Sequence, residues 1–106
     1  MALDRIADKW TVLTLGLLVE RRLRFNQLRR EIEGLSQKMA SQTLKALERD
    51  GLVTRTAFAT VPVTVEYAIT PLGRSLAQAL APLARWASDH INEIARARER
   101  YDRTAR

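Results

Sequence analysis

The stretch Ser-Gln-Lys-Met-Ala-Ser-Gln-Thr-Leu-Lys-Ala-Leu-Glu-Arg-Asp-Gly, from Ser36 to Gly51, constrains the fold more than any other. Ser36 is a helix-capping residue, and Gly51 supplies the left-handed residue that stops a helix. Between them, Ala40, Thr43 or Leu44, and Leu47 form one inward stripe. The opposite face holds Lys38, Ser41, Gln42, Lys45 and Arg49 at three- and four-residue steps. A helix so short and so polar on one side needs neighbours to bury the other.

Those neighbours are legible on both sides. Leu3, Ile6, Ala7 and Trp10 recur at helical spacing and predict a short opening helix. Asp8 caps a second helix to about Val19 that is apolar nearly all round, as expected at the centre of a small domain. Glu20-Arg21-Arg22 reads as a polar turn and Leu23 to Phe25 as a very short strand. Asn26 to Ile32 forms a short amphipathic helix, with Leu28 and Ile32 inward, ended by Gly34.

After Gly51, Val53 to Phe58 and Thr64 to Ile69 alternate and are rich in β-branched residues. They predict a hairpin whose wide tip contains Pro62, which cannot donate to a ladder. Thr70-Pro71 starts a helix: a cap, then proline at the first helical position. Leu72, Leu76, Leu80 and Leu83 make one stripe. Leu83, Ala87, His90, Ile94, Ala97 and Tyr101 continue in a 4-3-4-3-4 seam suited to helix-on-helix packing. Pro82 is expected to kink or break this segment, and residues 103–106 to fray.

The fold class expected is mainly α with a small β-hairpin, a winged helix-turn-helix. A chain of 106 residues is expected to be one domain. About residues 9–73 would form a DNA-binding core, with dimerisation helices at 1–8 and 74–106. The net charge of +6 favours an anionic partner. Residues 21–50 carry eight Lys/Arg against four acids, and residues 71–106 seven against four. The basic excess therefore lies on helices.

Several function classes recede. There is no cysteine, so disulfides, thiol redox sensing and thiolate metal sites are excluded. His90 is the sole histidine and sits on the apolar seam, where an interface role suits it better than metal ligation with Asp89 and Glu93. No glycine-rich phosphate loop, catalytic constellation, cofactor motif or metal signature appears. No stretch approaches the roughly 18 apolar residues of a membrane span. The N-terminus lacks the basic start and cleavage site of a signal peptide, so a cytoplasmic protein is expected.

Five blocks then fall in order: Lys9-Trp10, Arg24-Phe25-Asn26-Gln27-Leu28-Arg29, Leu35-Ser36-Gln37-Lys38-Met39, Leu47-Glu48-Arg49-Asp50-Gly51-Leu52-Val53, and Val65-Glu66-Tyr67-Ala68-Ile69-Thr70-Pro71-Leu72-Gly73. Together they resemble the HxlR-type transcriptional regulators, relatives of the MarR group, over about residues 3–90. The resemblance implies a homodimeric winged-helix regulator acting on promoter DNA. Members often carry an N-terminal cysteine and a Gly-Gly before the Lys-Trp pair; here there is no cysteine and the pair is Ala7-Asp8. Their wing usually reads Pro-Pro and a basic residue; here it reads Pro62-Val63-Thr64.

On this reading Gln37, Lys38, Ser41, Gln42 and Lys45 face base edges: glutamine pairs with adenine, lysine with guanine or phosphate, serine with either. Arg22, Arg24, Asn26, Arg29, Arg30, Ser36 and Arg49 are candidates for phosphate, with Arg55 and Thr56, and Thr60 near the tip, on the wing. Leu3, Ile6, Leu83, Trp86, Ala87, His90, Ile94 and Tyr101 are candidates for the dimer contact. Trp10 and Trp86 suit core or interface anchoring better than a ligand pocket. The residues name no small-molecule effector. The alternative reading is a winged helix that binds another protein without specific DNA binding. A basic membrane-surface protein ranks third and an enzyme last.

Overall fold

The computed structural model describes residues 8–105. The opening helix expected around Leu3 and Ile6 therefore lies outside the described residues. Asp8 caps the first described helix, α1 (Lys9–Glu20), its carboxylate accepting from the Trp10 N–H at 2.8 Å. A two-residue strand β1 (Leu23–Arg24), helix α2 (Phe25–Glu31) and helix α3 (Gln37–Arg49) follow. Strands β2 (Val53–Phe58) and β3 (Thr64–Ile69) form the hairpin, and α4 (Pro71–Thr104) ends the described chain.

The hairpin and β1 make one antiparallel sheet in the order β1-β3-β2, with Leu23 opposite Tyr67 and Val53 opposite Ile69. The core gathers Leu15 and Leu18 of α1, Leu23, Leu28, Ala40, Leu44, Leu47, Val53 and Tyr67. Three helices thus close over one end of a small sheet. Within α3 the inward residue is Leu44, at 2% exposure, while Thr43 is half-buried at the flank. Gly51 takes a left-handed φ of 76° just past the end of α3. Gly34, at φ 83°, lies in the turn between α2 and α3 and does not itself end α2, which stops at Glu31 with Ile32 as an extended cap.

Three expectations change. α1 is apolar nearly all round, yet it is not enclosed: Leu13 and Gly16 are exposed and Val12 and Val19 half-buried. The apolar surplus reflects a face that is open among the described residues. Pro82 does not break the last helix, which runs unbroken over 34 residues. Proline removes one backbone donor and crowds the carbonyl four residues earlier, at Gln78. Both residues are exposed, so water can serve that carbonyl. Helical order also runs through Thr104 instead of fraying at 103.

The leucine stripe of α4 divides. Leu76, Ala77 and Leu80 pack on the core, while Leu72 and Leu83 are 57% and 59% exposed. Among the described residues, packing of α4 on the core thus extends to Leu80. From there α4 projects away, giving extents of 60 × 26 × 26 Å.

Candidate nucleic-acid interface

α3 owes its presentation to its two ends. The Ser36 hydroxyl oxygen accepts from the Met39 N–H at 3.1 Å as the cap of α3. At the other end Gly51 N–H donates to Glu48 O at 3.1 Å and Leu52 N–H to Leu47 O at 2.9 Å, a Schellman end. With Ala40, Leu44 and Leu47 buried, the helix period assigns the outward direction. Lys38, Gln42, Lys45 and Arg49 fall within a sector of about 60° opposite the buried stripe. All four are exposed.

Ser41 is half-buried at the edge of this face, and Gln37, though exposed, lies near the inward side in the first turn. Both are therefore peripheral to the line of four. Arg49, read from the sequence as part of this face and assigned to phosphate, lies on it.

Arg22, Arg24, Asn26 and Arg30 are exposed around α2. Arg29 is half-buried, and its Nε is covered with no hydrogen-bond partner among the described residues. Arg21, by contrast, is paired with Glu31. The Arg24 N–H donates to Gln27 Oε1 at 2.9 Å, which steadies the start of α2. Arg24, Asn26 and Arg30 form one wall of a cleft of about 480 Å³, with Pro62, Val63 and Thr64 on the other. Pro62 and Val63 had no assigned role in the sequence. Only the fold brings the wing against α2.

The hairpin separates Arg55 from Thr56. Successive strand residues face opposite sides, so the two do not share a contact face. Thr56 lies opposite Glu66, and Arg24 lies opposite Glu66 from the other strand. The backbone register thus places Glu66 between two residues expected at phosphate. The tip is held by Thr60, whose hydroxyl donates to Pro62 O at 2.7 Å and lies 2.9 Å from the Thr64 hydroxyl. It presents Val61, fully exposed, and Val63, at 68% exposure.

Along α4, Leu83, Trp86, Ala87 and Tyr101 are exposed and His90 and Ile94 half-buried. Ile91, outside the expected seam, is also exposed. The Trp86 and His90 rings stack with centroids 4.5 Å apart, and His90 Nδ1 lies 2.8 Å from Trp86 O. That contact orders His90 within its own helix. Trp10 packs on the core beneath Lys9, whose Nζ lies 4.8 Å from the ring. A cleft of about 410 Å³ lies between α1 and α4, and neither tryptophan lines it. Among the described residues no group of acids and histidine is placed to hold a metal ion, and no helix is long and apolar enough to cross a membrane.

A turn-linked helix pair whose second member exposes a polar line, followed by a two-stranded wing, defines a winged helix-turn-helix protein of the MarR-like kind. Residues 5–95 match the sequence model of the HxlR-like helix-turn-helix, and the chain belongs to that family. The HTH-type transcriptional regulator YtfH of Escherichia coli (strain K12) is 42% identical over 97 residues, covering 92% of this chain and 77% of its own. A structure of the transcriptional regulator ytfH from Salmonella typhimurium matches at TM-score 0.86 and 39% identity, over 92% of this chain and 88% of that one. A MarR-family regulator from Enterococcus faecalis V583 matches at TM-score 0.73 and 35% identity, over 90% of this chain and 86% of its own. The chain is thus a transcriptional regulator of the helix-turn-helix type, a family of regulators and not of enzymes.

Proposed function

We propose that this regulator binds a pseudo-palindromic operator as a homodimer, with α3 of each copy in the major groove. The observation that carries the reading is the line Lys38, Gln42, Lys45 and Arg49, all exposed on the side of α3 opposite its buried stripe. Lysine and glutamine are donors matched to guanine and adenine edges, and their spacing follows the groove floor along a helix. Arg22, Arg24, Asn26 and Arg30 supply phosphate contacts that carry no sequence information. The cleft between Arg24, Arg30 and the wing suits one backbone strand, phosphates on the arginines and sugars against Pro62 and Val63. Cations on the α2 wall make up for the uncharged wing tip.

The dimer would form through the exposed apolar side chains of α4, Leu83, Trp86 and Tyr101 with Ile94. Large apolar side chains exposed together along one helix mark interaction surfaces. A second reading, docking on another protein, draws on the apolar wing tip at Val61 and Val63.

The test uses DNA selected by the protein from a random pool. Lys38→Ala and Gln42→Ala should each weaken binding to the selected sequence by roughly 5- to 150-fold, the worth of a base contact, and leave random DNA nearly unaffected. Arg30→Ala should weaken both alike and lower the salt slope by about one. Equal small losses on both DNAs for all three variants would remove α3 from the role of reader.

A further inference from the structure

We propose that Thr70 is a positioning residue that fixes the direction of α4 against α3 and so sets the spacing of the two recognition helices in the dimer. The spacing part rests on the operator reading above. The clasp itself stands on contacts within one chain.

The Schellman end of α3 uses the N–H groups of Gly51 and Leu52 and leaves their carbonyls directed away from the helix. Thr70 takes both. Its hydroxyl donates to Gly51 O at 2.7 Å, and its N–H donates to Leu52 O at 3.1 Å. The same hydroxyl accepts from the Gly73 N–H at 3.0 Å as the cap of α4. A hydroxyl has one hydrogen to donate and lone pairs to accept, so a single side-chain oxygen serves the end of one helix and the start of the other.

Gly73 closes the joint. It is buried, and a Cβ there would lie 2.1 Å from Leu52 O and 2.8 Å from Ile69 Cγ1. The first turn of α4 therefore rests on backbone just beyond α3, with no adaptable side chain between. Other anchors are softer. Arg74 reaches Val19 O at 3.4 Å, and Leu76, Ala77 and Leu80 make apolar contact.

Leverage makes the joint consequential. Tyr101 lies about 42 Å along the helix from Gly73, so a tilt of about 10° at the clasp moves that end by roughly 7 Å. That is about two base-pair steps of DNA.

The absence of cysteine allows clean labelling. Spin labels at Lys45→Cys on α3 and Arg96→Cys on α4, both exposed positions, report the distance between the helices. Labelled chains diluted in unlabelled protein give the distance within one copy by double electron–electron resonance. Thr70→Val, which keeps the shape and removes the hydroxyl, should at least double the width of the distance distribution at a temperature where the chain is folded. Thr70→Ser should restore the narrow width. Gly73→Ala, with the hydroxyl intact, should shift the mean. In pool selection Thr70→Val should keep single half-site affinity within twofold and accept a wider range of half-site spacings.

A Thr70→Val distribution as narrow as wild type, a Thr70→Ser distribution as broad as Thr70→Val, or an unmoved mean in Gly73→Ala would each overturn the clasp. The distances are read without DNA. A wild-type protein that selects no paired half-sites would therefore sink the operator reading alone, and the distributions would still decide the clasp.

Discussion

Glu66 bears on the charge of the proposed DNA interface. It lies on the middle strand with Arg24 on one side and Thr56 on the other. A carboxylate beside an arginine lowers the attraction that arginine exerts on phosphate. Glu66→Gln should therefore raise affinity for DNA of any sequence about two- to fivefold at low salt, a gain that fades as salt screens it. Fluorescence anisotropy on random duplex at two ionic strengths checks this; unchanged or weaker binding would place Arg24 away from the backbone. Capping residues such as Asp8, Ser36 and Thr70 were legible in the sequence because a cap is a local pattern. The second bond of Thr70, to Gly51, was not, because it joins residues 19 apart through a hairpin. The partial burial of Ser41 was equally hidden, since burial at a helix edge depends on what packs there.

Among the elements, α2, α3 and the hairpin were legible within a residue or so, because each has turn residues at its ends and a regular apolar period between. α1 and α4 were harder. Their apolar periods are real, but periodicity does not say whether the partner is the same chain. Thr14 shows the cost of α1's central position. It is fully buried, and its hydroxyl has no hydrogen-bond partner among the described residues. A buried unpaired hydroxyl costs about 1–3 kcal/mol. Thr14→Val, equal in shape, should raise stability by about 1 kcal/mol, read as a higher urea midpoint at unchanged slope. A lower midpoint would mean that the hydroxyl is satisfied. Pro82 marks the limit of sequence rules in α4, since at an exposed position its missing donor does not end the helix.

At the scale of the whole molecule, a winged core carries a long helix that, among the described residues, packs on that core as far as Leu80. Leu83, Trp86, Ile91 and Tyr101 then present apolar surface along the projecting part. A second copy placed there would relate two α3 helices by a two-fold axis, and the DNA bound would carry that symmetry. The candidate reading face was legible as a polar line at helical steps. Its companion cleft at Pro62 and Val63 was not, because it forms only when the sheet closes on α2. The most direct test is the spacing of half-sites in DNA selected from a random pool by the wild-type protein. Inverted half-sites with centres one helical turn, about 34 Å, apart are the expected result. Selected sequences with unpaired sites, or no enrichment at all, would contradict a dimer that reads DNA through α3.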